Sequence, residues 1–197
     1  LNDFKLNDWR HYKHIAVKEA VLPFNKFPEE SIFLSPEMKS TGEVMGISKT
    51  MGESFLRASI SAGNNLPKNG KVFISVNDAD KKAMIPIAKK LSHMGFTIIA
   101  TVGTSILLNE NGMNTERIYK VGEGRPNVVD GIKNGEINLV INTPLGAQSR
   151  FDEEAIGKAC IKKGILAITT LSGANAAVDA VSHKDDYSVK SIQDYHI

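Results

Sequence analysis

The stretch Ile98-Ile99-Ala100-Thr101-Val102-Gly103-Thr104-Ser105 carries the pattern that decides the fold. Its apolar first part is typical of a buried strand, Gly103 predicts a tight turn, and Thr104-Ser105 predict the start of a helix. The first amides of a helix carry partial positive charge, and threonine hydroxyls beside them add further donors. The stretch therefore predicts either a site for a phosphate or carboxylate, or a plain threonine N-cap.

The same pattern repeats along the chain after a turn-rich stretch at residues 64–70. Apolar strands that alternate with short amphipathic helices need right-handed crossovers, which predicts an α/β fold with a doubly wound, mostly parallel five-stranded sheet. The predicted strands cover residues 71–76, 96–100, 116–119, 139–142 and 165–168. The predicted helices cover residues 80–94, 104–109, 127–133, 152–163 and 172–181.

The chain before the turn-rich stretch has a different character. It begins with strand-like apolar stretches broken by prolines, and Ser48 is the expected N-cap of a helix over residues 49–62. We therefore predict two units, one at residues 1–66 and the α/β unit at residues 67–197. Because the chain has no initiator methionine, we expect it to be a fragment of a longer protein.

Composition argues against several classes of function. The net charge of +2 selects neither nucleic acid nor a membrane surface as a partner. The single Cys160 excludes an internal disulfide, and no apolar run approaches the length of a membrane span. None of the five histidines lies at a metal-ligand spacing. We expect a soluble, cytoplasmic chain that holds no metal.

Polar residues follow each predicted strand. Ligands of doubly wound sheets bind outside the carboxyl ends of the strands, so these residues form the candidate site. They are Ser75 with Asn77-Asp78, then Thr101 to Ser105, Lys120, Asn142-Thr143-Pro144 and Thr169-Thr170. Hydroxyls, an amide and a lysine on one edge suit a phosphate with a polar body. Lys81 opposes the dipole of its helix, which a bound anion explains, although a solvated helix face is the simpler explanation.

Two further patterns carry less weight. The run Asp152-Glu153-Glu154 looks like a catalytic carboxylate cluster, but acidic residues are typical of a helix N-terminus. The glycine-containing stretch at residues 122–126 matches neither the dinucleotide-binding nor the P-loop motif. It predicts a bend before a helix that starts near Pro126.

Two long motifs lie in the first unit: VKEAVLPFNKF at residues 17–27 and SPEMKSTGEVMG at residues 35–46. They closely resemble the end of the second ATP-grasp, or carbamoyl phosphate, domain in the large subunit of carbamoyl-phosphate synthase. The α/β unit resembles the C-terminal allosteric domain of the same subunit, which has the methylglyoxal-synthase-like fold. The resemblance thus covers the chain from about residue 15 onward.

The resemblance implies a parent ligase that makes carbamoyl phosphate from bicarbonate, glutamine-derived ammonia and two ATP, for arginine and pyrimidine biosynthesis. ATP with Mg²⁺ or Mn²⁺ would bind to parts of the parent upstream of Leu1. The fragment itself is therefore expected to hold no cofactor and to be catalytically inactive. The implied partners are the rest of the large subunit, the small glutamine amidotransferase subunit, and a second copy through the allosteric domain.

The resemblance also implies a site for a nucleotide effector, UMP or IMP. The implied residues of this site are Ser75, Lys81, Thr101, Thr104, Lys120, Asn142 and Thr143. Thr101, Thr104 and Lys120 would hold the phosphate, and the turn at Asn142 would face the ribose and base. Pro144 replaces a threonine of some relatives, which affects selectivity for the base or ribose.

A second site implied by the resemblance is that for ornithine. Glu19 and Thr169 match its pattern, whereas Ala167 stands where some relatives carry a tyrosine. We therefore expect ornithine regulation to be weak, different or absent.

Two alternatives stay open. Methylglyoxal synthase resembles residues 71–181 and removes phosphate from a triose phosphate with an aspartate base. Arg125 stands near the place of that base, and we expect no carboxylate in the site, which argues against a phosphate lyase. In the other alternative, the α/β unit is a structural oligomerisation module whose polar loops only cap helices.

Overall fold

A computed structural model of the chain describes residues 12–24, 26, 40, 42–143, 149–184 and 189–195, in which the strands form two sheets. Strands β1 (Ile15–Val21) and β2 (Gly42–Ser48) pair antiparallel, with Ile15 opposite Ser48. The other five strands are β3 (Lys71–Val76), β4 (Thr97–Ala100), β5 (Thr115–Arg117), β6 (Leu139–Thr143) and β7 (Ala167–Ile168). Their neighbours are all parallel, in the order β5-β4-β3-β6-β7.

Helices alternate with these strands. They are α1 (Met51–Ser61), α2 (Lys81–His93), α3 (Val102–Glu110), α4 (Val128–Lys133), α5 (Ser149–Lys163) and α6 (Leu171–Ser182). A 3-10 helix at Ile192–Tyr195 follows. The predicted doubly wound, five-stranded parallel sheet is confirmed. None of the helices in the described parts of the chain has both the length and the apolar character needed to cross a bilayer.

The sheet is buried on both faces. One hydrophobic cluster contains Ile74 with residues of α2 and α6, and the other contains Phe73 with residues of α4 and α5. Because neighbouring side chains of a strand point to opposite faces, β3 contributes to both clusters. Cys160 lies in the second cluster, where burial raises the pKa of its thiol to about 12.

Helix α1 links the β1–β2 hairpin to this core. Leu56 of α1 and Leu66 of the following loop belong to the same cluster as Ile74 of β3. The predicted division between residues 66 and 67 stays a prediction, although apolar contacts cross it.

Two predicted local features are wrong. Thr50, not Ser48, caps α1, and its hydroxyl accepts a hydrogen bond from the Glu53 amide at 3.2 Å. Ser48 instead ends β2, where its hydroxyl donates to the Glu53 carboxylate. Gly103 makes no tight turn, since α3 already begins at Val102 and Gly103 lies within its first turn.

Gly46 is the point of closest approach between the hairpin and α1. A Cβ at this position would overlap the carbonyl oxygen of Ser54 and the amide nitrogen of Ala58, both of which are backbone atoms. Backbone cannot move aside as a flexible side chain can, so only glycine fits here. Gly42, in the same strand, has no such neighbour within 4 Å.

We predict that Gly46→Ala lowers the free energy of unfolding by about 1–3 kcal/mol, because α1 must shift away from β2. The matched control Gly42→Ala should change it by less than about 0.5 kcal/mol. Chemical denaturation of both variants measures the difference. Equal stability of the two variants would show that the tight contact at Gly46 is unimportant.

Candidate functional site

A cavity of about 160 Å³ opens at the carboxyl ends of β3 and β6. The strand order reverses between these neighbouring strands, and this is the place where doubly wound sheets bind ligands. We call it the switch-point cavity. Five of the seven residues predicted for the nucleotide site line it: Ser75, Thr101, Lys120, Asn142 and Thr143. The other lining residues are Phe73, Val76, Asn77, Val121, Val128, Asp152 and Ile156.

Thr101 lies at the N-cap position of α3 without acting as a cap. Its hydroxyl makes no hydrogen bond to the helix amides. It is placed instead 3.4 Å from the Ser75 hydroxyl and 3.5 Å from the Thr104 hydroxyl. The alternative of a plain threonine N-cap is therefore wrong for Thr101, and its buried hydroxyl borders the cavity.

An asparagine holds the opposite wall. The amide nitrogen Nδ2 of Asn77 donates to the carbonyl oxygen of Thr143 at 3.2 Å and to its hydroxyl at 3.3 Å. The same side-chain nitrogen reaches Asp80 at 2.7 Å. These bonds tie the loop after β3 to the end of β6, at the border of the cavity. Asn77 follows a predicted strand, and that is the signal that marks it in the sequence.

Two lysines lie near the cavity but only one of them lines it. Lys120 is a lining residue. The Lys81 ammonium pairs with Asp78 at 2.6 Å, beside the first turn of α3. The hydrogen bond and charge of Lys81, and then the charge of Lys120, hold the pKa of Asp78 below its usual range. The anion that faces Lys81 in this structure is thus a carboxylate of the chain itself.

Thr104 lies behind the cavity wall. Its side chain is only 1% exposed, and its hydroxyl accepts a hydrogen bond from the Val76 amide at 3.5 Å. Thr104 therefore supports Thr101 from below and does not line the cavity. Pro144, the residue predicted to affect base or ribose selectivity, lies outside the described residues.

A carboxylate does line the cavity, contrary to the prediction. Asp152, in the first turn of α5, faces Lys120. Burial raises the pKa of Asp152, the positive charge of Lys120 lowers it, and the negative charge of Glu123 raises it further. The sequence offers an ordinary explanation for an acid at a helix start, and only the strand order brings this turn beside β3.

The three consecutive acids of α5 have different surroundings. Asp152 lines the switch-point cavity, Glu153 lines a second cavity, and Glu154 pairs with Lys158 at 2.8 Å. They form no common cluster. Arg125 is 83% exposed, lies 3.8 Å from the Asp130 carboxylate and is not among the lining residues. Among the described residues, no group of three or more His, Cys, Asp or Glu is arranged to hold a metal ion.

The second cavity, of about 700 Å³, lies between the end of β1, the loop after α1, and α5 with β7. We call it the hairpin cavity. Both residues predicted for the ornithine site, Glu19 and Thr169, line it together with Ala167. The Glu19 carboxylate accepts hydrogen bonds from Asn64 at 2.6 Å and Ser59 at 3.0 Å. Asn142 lines both cavities.

Residues 83–169, which run from α2 to the residue after β7, match the MGS-like domain family. We call this matched region the MGS-like domain. The predicted methylglyoxal-synthase-like fold is confirmed by this match and by the sheet order. A crystal structure of methylglyoxal synthase from Elizabethkingia anophelis NUHP1 aligns with a TM-score of 0.48 and 17% identity, over 57% of this chain and 79% of that chain.

Most of the chain, including much of the part before the MGS-like domain, is similar to carbamoyl phosphate synthase large chains. It is 48% identical to the large chain from Nostoc sp. over 184 residues, which are 92% of this chain and 17% of that protein. It is also 48% identical to the protein named "large chain, C-terminal section" from Aquifex aeolicus, over 86% of this chain and 32% of that protein. The predicted resemblance to this large subunit is confirmed, and the chain spans 17% of the length of the Nostoc relative.

The position of Asp152 in the MGS-like domain generates a prediction for anions. An ionised carboxylate in the cavity repels phosphate, so Asp152→Asn should tighten the binding of inorganic phosphate at neutral pH by about 1 kcal/mol. Titration calorimetry at low salt measures this change. The advantage of the variant should fall as the pH drops through the pKa of Asp152, because the original side chain then becomes neutral too.

The matched control is Glu154→Gln, which removes a carboxylate two residues away that pairs with Lys158 and does not line the cavity. It should leave phosphate binding unchanged. An equal effect of both variants would mean that only the overall charge of the domain matters.

Proposed function

We propose that this chain is the C-terminal regulatory region of a carbamoyl-phosphate synthase large subunit, and that the switch-point cavity binds a nucleotide effector of the UMP or IMP type. The proposal combines the similarity to these large chains with the chemistry of the cavity. The main support is the position of Thr101, whose hydroxyl borders the cavity at the start of α3 without capping that helix.

A phosphate at this place would find three kinds of stabilisation. The first-turn amides of α3 supply a partial positive charge. Hydroxyls are available at Ser75, Thr101 and Thr143, and the charge of Lys120 is at the cavity wall. The volume of about 160 Å³ is below the usual range of about 300–1,000 Å³ for ligand pockets. It therefore suits enclosure of the phosphate and neighbouring ribose atoms, with the base at the mouth.

The mechanism is regulatory. A nucleotide that contacts two arrangements of the allosteric domain unequally shifts the balance between them, and that shift alters catalysis elsewhere in the parent. Catalysis is the ATP-dependent, Mg²⁺- or Mn²⁺-dependent synthesis of carbamoyl phosphate from bicarbonate and glutamine-derived ammonia, for arginine and pyrimidine biosynthesis. It involves the rest of the large subunit and the small amidotransferase subunit, and this chain alone is inactive. The enzyme is cytoplasmic, and its allosteric domains associate with one another.

The hairpin cavity is the proposed place for any response to ornithine. The Glu19 carboxylate can pair with an ammonium group and Thr169 can donate a hydrogen bond, while Ala167 leaves room where a tyrosine would pack. Two hydrogen-bond donors of the chain already occupy Glu19. Ornithine regulation in this protein is therefore weak, different or absent.

A second candidate function is the phosphate lyase reaction, and one observation now favours it. Asp152 supplies a carboxylate in the cavity, and burial moves its pKa upward, toward that of a useful general base. The sequence predicted a site without a carboxylate, and that prediction argued against the lyase reaction. The presence of Asp152 in the cavity removes this argument. Arg125, which stands in the sequence near the place of the lyase base, is exposed and does not line the cavity.

We predict that Lys120→Ala weakens the binding of UMP, IMP and inorganic phosphate by about 1.5–3 kcal/mol, because a charged hydrogen-bond donor to the phosphate is lost. Calorimetric titration at low salt gives the three affinities. The matched control is Lys82→Ala, which removes an equal charge from the exposed face at the start of α2. Unchanged affinities after the loss of Lys120 in a folded protein would contradict the proposed site.

The two candidate functions separate in an assay of inorganic phosphate release from dihydroxyacetone phosphate. The regulatory proposal predicts no release above the uncatalysed background. Turnover that is abolished by Asp152→Asn and retained by Glu154→Gln would replace it with the lyase function. Binding of a nucleotide without turnover would support the regulatory function.

A further inference from the structure

The last described segment of the chain returns to the β1–β2 hairpin. The hydroxyl of Tyr195, in the 3-10 helix, donates a hydrogen bond to the carbonyl oxygen of Ile47 at 3.0 Å. The same hydroxyl accepts a hydrogen bond from Nη1 of Arg57 at 3.2 Å. Ile47 belongs to β2 and Arg57 to α1, so a single phenol group joins three elements of structure.

These bonds continue into a closed circuit. Nη2 of Arg57 donates to Oε1 of Glu53, one helical turn earlier, at 2.5 Å. The other carboxylate oxygen of Glu53 accepts a hydrogen bond from the Ser48 hydroxyl. Ser48 is the neighbour of Ile47 in β2, so the path ends on the strand where it began.

The charged members of the circuit are shielded from water. The side chains of Arg57 and Glu53 are 15% and 17% exposed, so their ion pair is screened less than one on the surface. The hydrogen bond from Ser48 is the largest cause that lowers the pKa of Glu53, followed by the hydrogen bond and charge of Arg57 and the charge of His183, against an upward effect of burial. The carboxylate therefore stays ionised in folded protein at a lower pH than a free glutamate does.

A cavity separates part of the C-terminal segment from the hairpin and α1. A cavity of about 350 Å³ lies between Val189 and Lys190 on one side and Met45 and Ile60 on the other. The rings of Tyr195 and His14 make a T-shaped contact, with 5.9 Å between the centroids. Among the described residues of the segment, Tyr195 makes the hydrogen bonds to β2 and α1.

We propose that Tyr195 is a clasp that fixes the β1–β2 hairpin against α1 and the C-terminal segment. The clasp acts in addition to the packing of α1 on α6, where Gly52 lies against the backbone of Asp179. Any regulatory meaning rests on the proposed function, in which the hairpin is the part that leads to the synthetase. The clasp itself does not depend on the proposed function, because none of its residues lines the switch-point cavity.

The test is Tyr195→Phe, which keeps the ring and removes only the hydroxyl. Hydrogen–deuterium exchange should become about 3- to 10-fold faster in residues 42–48, the loss expected for one shared hydrogen-bonding group, and stay unchanged in residues 71–76. The matched control is Tyr12→Phe, because the Tyr12 ring lies beside His14 but its hydroxyl is not part of the circuit. It should behave as the unmodified protein does.

Unchanged exchange in the hairpin overturns the clasp, and so does an equal acceleration in both sheets, which would make Tyr195 a general stability contact. Truncation after Lys190 gives a second measurement, in which acceleration confined to the hairpin supports the clasp and its absence overturns it. Phosphate affinity should be the same for Tyr195→Phe and the unmodified protein. This readout separates the clasp from the proposed function.

Discussion

The burial of both faces of the parallel sheet is the constraint from which the rest follows. Ile74 and Phe73 are neighbours in β3, yet they belong to hydrophobic clusters on opposite sides, each covered by its own helices. A strand buried in this way has no place for a polar group until it ends. Polar residues therefore collect at the carboxyl ends of the strands, and the reversal of strand order between β3 and β6 leaves an opening there. The candidate site is in this sense a product of the core.

The order of elements in the α/β unit was predictable because each strand and helix leaves a local pattern in the sequence. β3 has the predicted bounds, Lys71 to Val76. β2 was not predicted as a strand, because it contains glycines at positions 42 and 46, and glycine disfavours strands. Gly46 is explained only by the backbone of α1 against it, a contact that no local pattern shows. The wrong N-cap has a similar cause, since Ser48 is engaged by Glu53 across the turn.

The candidate site was predictable as far as position along each strand determines it. Residues near the carboxyl end of a strand, such as Ser75 of β3 and Asn142 of β6, line the cavity. Position along the chain does not predict how far a side chain lies from the cavity. Thr101 and Thr104 differ by one helical turn, yet Thr101 is on the cavity wall and Thr104 is behind it. Asp152 enters the site through the strand order, a long-range property. The electrostatics follow from the same arrangement, because the charge of Lys120 acts on both Asp78 and Asp152.

Asn142 and Ile156 line both the switch-point cavity and the hairpin cavity. Residues that line both cavities would give two occupants a common neighbour without any movement of the backbone. A molecule that immobilises the Asn142 amide from one side removes rotamers that a molecule on the other side would otherwise have to restrict. Two such occupants would be coupled through lost side-chain freedom, and by thermodynamic reciprocity the coupling would be equal in both directions.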